Sequence, residues 1–171
     1  MRKFLFVTLL LASAFFVSCT HRIERLDAEE IKANETPRAV AYNFVLSIVN
    51  EDYATAVDLM STNYFFKLMP ELFGGIPISQ LFSNQFMHDI VDMRPVVKMG
   101  YEVVITDVQE FPLDKCFAED STFRNVPAYI VKFDCADAND KFYDDSNGEY
   151  DTDATIFVVK EDDEWKIFEI K

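Results

Sequence analysis

The side chain best suited to proton transfer at neutral pH is histidine, and the chain has two: His21 near the N-terminus, and His88 in the run QFMHDIV. No G-x-S-x-G nucleophile motif accompanies His88. No HExxH or paired-cysteine metal spacing is present either. His88 is therefore expected as a partly exposed helix residue. Tyr42, Tyr64, Asp89, Asp92 and Tyr101 supply phenols and carboxylates by type, but such chemistry needs a carboxylate buried among apolar groups. The acidic run DCADANDKFYDDSNGEYDTD invites a calcium reading. With Gly148 set as position six of an EF-hand loop, Asp145 and Asn147 fall on ligand positions. The two most demanding positions then fall on Tyr143 and Ala154, so the template fails. Asp144, Asp145, Asn147 and Asp151 leave only a loose, weak cation site, and a solvated acidic loop is expected. The sequence assigns no catalytic residue, no metal and no cofactor.

Cysteine is the other reactive type, with three copies. Arg2 and Lys3 precede FLFVTLLLASAFFV, an apolar stretch of 14 residues over 4–17. A spanning helix needs about 20 residues, so this length suits the core of an export signal. The stretch ends in Val17-Ser18-Cys19, and polarity rises at once with Thr20, His21, Arg22, Glu24 and Arg25. Small residues running into a cysteine resemble the lipobox of bacterial lipoproteins. That resemblance implies cleavage after residue 18, acylation of the Cys19 thiol, and anchoring by lipid. Phe16 holds the place where the lipobox usually has Leu. Thr20, in place of Asp, leans towards the outer membrane, with the protein facing the periplasm.

With Cys19 lipidated, Cys116 and Cys135 remain as a pair. They enclose 18 residues, and an oxidising envelope compartment would permit a disulfide. Closing such a loop would add about 3 kcal/mol in the chain-entropy picture. Two buried free thiols are the alternative; a redox pair lacks its C-x-x-C spacing.

The full chain carries a formal charge of −14. Without Arg2 and Lys3 the mature part has 14 basic against 30 acidic residues, a net of −16. Such a field repels phosphate backbones, so nucleic acid is not an expected partner, nor is an anionic membrane held by charge alone. With 17 Phe and 7 Tyr in 171 residues, one ordinary domain can bury a real core.

These residues need elements to position them. Residues 20–35 lack an apolar stripe and are expected to be a tether. Thr36-Pro37 starts a helix, Thr as N-cap and Pro at the first position, with Val40, Phe44, Val45 and Ile48 on its inner face. Asn50-Glu51-Asp52 breaks it and caps a second helix bearing Tyr53, Ala56, Val57 and Met60. Phe65, Phe66, Leu68, Met69, Leu72 and Phe73 form an apolar stretch that suits core or a pocket lining. Ser79 caps a helix over 80–93, with Leu81, Phe82, Phe86, Ile90 and Met93 inward and Pro95 as its stop. Strands follow over 96–108, with Gly100 as a bulge, then 128–134, 154–160 and 165–170. Residues 161–163 make the last hairpin turn. Asn34-Glu35-Thr36 matches a glycosylation triplet that a bacterial envelope protein does not use.

Helices followed by strands indicate an α+β fold with an antiparallel sheet of about four strands. The helix AVAYNFVLSIVNEDYATAVDLM, with Asn50-Glu51-Asp52-Tyr53 at its break, and the closing strand around Trp165-Lys166-Ile167 resemble the nuclear transport factor 2-like superfamily. More narrowly they resemble small bacterial lipoproteins of unknown function that carry such a domain. The resemblance spans residues 36–171 and implies a curved sheet wrapped on helices, an open cone. The expected layout is signal 1–18, lipidated cysteine and tether 19–35, and domain 36–171. The expected role is an anchored, non-enzymatic envelope protein that binds a small apolar ligand or a protein partner through the cone. The alternatives are a small pocket enzyme using a buried carboxylate and Tyr, related in fold to ketosteroid isomerases, and a structural accessory protein acting as a homodimer.

Overall fold

The computed structural model describes residues 22–61, 87–113, 125–144, 146 and 149–170. Within them the order is α1 (Ala28–Ala33), α2 (Pro37–Val49), α3 (Tyr53–Asp58), α4 (His88–Lys98), β1 (Glu102–Glu110), β2 (Ala128–Ala136), β3 (Ala154–Glu161) and β4 (Glu164–Ile170). The fold is α+β. The four strands form an open antiparallel sheet in the order β1-β2-β3-β4.

Local chemistry sets the helix limits. Thr36 accepts a hydrogen bond from the Ala39 N–H, and Pro37 opens α2. Val40, Phe44, Val45 and Ile48 are all buried, as their spacing predicts. Asp52 caps α3 by accepting from the Thr55 N–H at 3.3 Å. Arg94 of α4 donates from Nε and Nη2 to the Ile48 carbonyl at 3.0 and 2.8 Å, and from Nη2 to the Tyr53 hydroxyl at 2.9 Å. A cation at the carboxyl end of α2 suits the helix dipole and ties three helices together.

Pro95 does not stop α4; the helix runs through it to Lys98. An interior proline costs about 3 kcal/mol. Here Ile90, Met93 and Val96 continue one buried face past it, and burying each such side chain contributes about 1.5–3 kcal/mol. The strand expected from residue 96 therefore begins at Glu102. Gly100 is not a bulge but the left-handed residue that ends α4, at φ +101°. Its N–H donates to Val97 O at 3.0 Å and the Tyr101 N–H to Val96 O at 3.4 Å, which is the Schellman pattern.

The bulges sit elsewhere. The register shifts between Ile105 and Asp107 against β2, and between Phe157 and Val158 against β4. Each shift inverts the face of the residues beyond it, so Ile105 and Val108 both point to the helices, as do Ile167 and Ile170. On that side Val131, Phe133, Cys135, Ile156 and Val158 pack with Phe44, Ile48, Ile90 and Met93. On the other side Ala128, Phe157, Val159 and Phe168 meet Leu113 in a second apolar cluster. β3 is thus covered on both faces. The last hairpin turns on Asp162 and Asp163, at φ +48° and +68°. Positive φ at both central residues is the type I′ geometry that matches sheet twist.

Residues 22–35 are not a free tether. The Glu24 N–H donates to Ile105 O at 2.8 Å, and the Ile105 N–H donates to Glu24 O at 3.1 Å. Helix α1 follows, with Asp27 as its N-cap and Asn34 as its left-handed C-cap. Arg38 donates to both oxygens of Glu30, at 2.6 and 2.8 Å, and also to Glu24. Arg25 reaches Glu102 at 3.1 Å, the Asp137 carbonyl at 3.0 Å, and Asp140. The folded unit thus extends back from residue 36 to at least residue 22. Ion pairs, one backbone bridge, the Asn43 amide and the packing of Leu26 on the core hold this segment, a set of contacts that imposes no apolar periodicity.

Candidate functional site

The hairpin of β1 and β2 opens at one end into a cleft of about 680 Å3, lined by Glu110, Phe111, Pro112 and Leu113 on one arm and residues 125–129 on the other. That volume lies within the range of about 300–1,000 Å3 usual for small-molecule sites. Strand pairing brings the arms together: the Phe111 N–H donates to Ala128 O at 2.9 Å. Pro112 and Pro127 end ladder pairing on each arm, since proline has no N–H to donate. The apolar wall continues into the second cluster, where the Phe111 and Phe157 rings meet edge to face at 5.1 Å. Among the described lining residues, Glu110 carries the charge. The cleft can take an apolar group at its wall and a polar one at its rim. Residues 114–124, which join the two arms, lie outside the described residues.

A second, smaller cleft of about 290 Å3 lies where α1, α2 and α3 meet. Asn34, Asn43, Asn50, Asp52 and Thr55 edge it, with Leu46 and Leu59 below. Asn43 already donates to the Ile31 carbonyl and the Asn34 side chain. Much of that polar edge holds α1 in place.

His88 heads α4 and is exposed. Its Nδ1 lies 3.3 Å from Asp92 Oδ2 and 3.5 Å from Asp89 Oδ1. The acidic segment after β2 meets this corner, where the Asp151 N–H donates to Asp92 at 3.3 Å. Burial pushes the Asp89 carboxyl above its ordinary range, and the Asp151 charge adds to that. Tyr101 and Tyr143 meet edge to face with ring centroids 5.5 Å apart, and Tyr150 lies tilted against Tyr143 at 6.4 Å. Among the described residues no group of three or more His, Cys, Asp or Glu has the geometry to hold a metal ion. Asp144 instead turns inward on its own loop, accepting from the Ser146 N–H.

Other sequence-selected residues are dispersed. Tyr42 packs on Phe133, and burial raises its phenol's pKa. Glu161 is a buried carboxylate that accepts from the Ser61 hydroxyl at 2.7 Å. That contact helps dock residues 59–61 on the edge of β4, where the Ser61 N–H donates to Ile167 O at 2.8 Å. Cys135 is a buried free thiol on the helix side of β2, and desolvation pushes its pKa up to about 12. Cys19, Tyr64, the apolar stretch 65–73, Leu81, Phe82, Phe86, Cys116, Asp145, Asn147 and Gly148 lie outside the described residues.

Sequence reasoning missed the hairpin cleft. Its signal was the pair of matched breakers, Phe111-Pro112 after one strand and Val126-Pro127 before the next. The chain matches no known protein-family model and no curated protein.

Proposed function

We propose that the chain is a lipid-anchored protein of the bacterial envelope whose domain is nuclear transport factor 2-like and binds a small apolar ligand or a protein partner without catalysing a reaction. The anchor rests on the sequence of residues 1–19, and Thr20 favours the outer membrane. Helices that precede a four-stranded antiparallel meander are compatible with that superfamily.

The observation that carries the binding reading is the cleft at the end of the β1–β2 hairpin where the two strands are connected, with Phe111, Pro112, Val126 and Pro127 among its described lining residues. Carboxylates held from water have structural partners instead: Glu161 has Ser61, and Asp89 lies beside exposed His88, remote from the cleft. Purified protein incubated with envelope extract should retain an apolar compound or a partner, detected by native mass spectrometry. A protein that emerges from the extract with nothing bound would sink the reading. The anchor has its own test: wild type should carry a mass of acyl groups at Cys19 that Cys19→Ala lacks.

A further inference from the structure

Residues 22–34 are fastened to the domain mainly by charge. Arg25 donates to Glu102 at the start of β1, to the Asp137 carbonyl after β2, and to Asp140. Arg38 of α2 donates to both oxygens of Glu30 and to Glu24. The Arg25 and Arg38 side chains are 37% and 36% exposed, so water and salt screen both clasps. The backbone adds one rung, Glu24 with Ile105. Helix α1 has six residues, none of them buried, and is too short to be stable alone. Leu26 is the segment's apolar contact with the core. By contrast α2, the next element, buries eight of its 13 residues. Between the two helices the backbone turns sharply, from left-handed Asn34 at φ 54° to extended Thr36. Lifting the segment therefore removes little apolar burial and leaves the packing of α2 on the sheet in place.

We infer that residues 22–34 form an ionic strap that opens and closes over the edge of β1 as one unit, hinged at 34–36 and clasped by Arg25 and Arg38. The clasps act together because they flank the rung: Arg38 holds Glu24, and Arg25 is the next residue in the chain. Opening frees the Ile105 backbone groups and the seat of Leu26. A freed strand edge accepts another strand, so the strap controls access to that edge.

Hydrogen exchange followed amide by amide on the whole protein tests this. The Glu24, Ile31, Asn34 and Ile105 N–H groups are all hydrogen-bonded in the closed strap. They should share one protection factor, well below those of β2 and β3. Arg25 touches neither Ile31 nor Asn34, yet Arg25→Gln should speed exchange at all four amides by a similar factor, about fivefold. Sodium chloride at about 1 M, which shortens the screening length to about 3 Å, should do the same to the wild type without a substitution. Quickening confined to Glu24 and Ile105 would mean piecemeal fraying and would overturn the strap. Exchange of all four amides only at the rate of β2 and β3 would overturn it too, because the segment would then open only with the whole domain.

Discussion

Glu24 and Ile105 exchange both backbone hydrogen bonds, at 2.8 and 3.1 Å, so one residue of the N-terminal segment serves as an extra rung on the edge of β1. An unpaired edge invites pairing with other chains, and this rung covers part of it. The rung is held by Arg38, which binds Glu30 through two hydrogen bonds and also reaches Glu24.

Arg38→Met should loosen that rung. Arg38's side chain is 36% exposed, so solvent screening reduces the ion pairs to about 1 kcal/mol of stability in total. In a domain of this size that lowers Tm by about 2–4 °C. Amide exchange at Glu24 and Ile105 should quicken before exchange in β2 and β3. The Glu30 carboxyl, hydrogen-bonded by Arg38, is held below its ordinary pKa of 4.5. Its contribution is therefore complete above that value and is lost as pH falls through the lower, folded value. Unfolding in acid should thus narrow the gap between wild type and variant, and so should high salt. A Tm unchanged by the substitution would refute this role.

Asp89 titrates in the opposite sense. Burial raises its pKa in the folded state, so above that raised value its charge opposes folding. The penalty fades as pH falls and is gone below the unfolded pKa. Asp89→Asn should therefore raise Tm at neutral pH, with the gain shrinking to nothing in acid. Thermal melts of both proteins across pH provide the check. A constant difference would mean that charge is not the cause.

The sequence carried the α+β order and most element cores because those depend on local patterns. Val40, Phe44, Val45 and Ile48 lie at helical spacing and are all buried. The second helix, the last hairpin and the order of the strands follow from similar signals. Pro95 was misleading because its penalty is local while its compensation, the burial of Ile90, Met93 and Val96, is tertiary. Gly100 reads as a bulge in the sequence, and only its contacts with Val96 and Val97 show it to be a cap. The Glu24 rung was illegible because backbone pairing leaves no side-chain signature. The cleft was legible only in part: matched Phe-Pro and Val-Pro pairs mark strand ends, but nothing in either pair says that the ends lie side by side.

Gly100 gives a prediction about backbone alone. A Cβ there would meet no atom within 4 Å, yet φ is +101°. Gly100→Ala should cost about 1 kcal/mol through left-handed strain rather than through a clash. Chemical denaturation should show a lower midpoint with an unchanged slope. Restoring wild-type stability by trimming neighbouring side chains would contradict this origin.

Cys135 should remain a free thiol. It pairs with Val103 at one end of the β1–β2 hairpin and faces the helices. Leu113 lies at the other end, beside Ala128, in the cluster on the opposite face. From Ala128 to Cys135 is seven residues of strand, about 23 Å. Three residues beyond Leu113 the chain can have moved only about 10 Å, whereas a disulfide needs Cα atoms within about 7 Å. A bond from residue 116 to Cys135 would have to span the distance that remains, so of the two alternatives the free thiols are the expected outcome. Burial also keeps the Cys135 thiol protonated, with a pKa of about 12, so it is a poor nucleophile. Alkylation at neutral pH should leave Cys135 unmodified in the native protein and label both Cys116 and Cys135 once the chain is unfolded without reductant. A native mass lower by two hydrogens, with label added only after reduction, would show that the two are bonded.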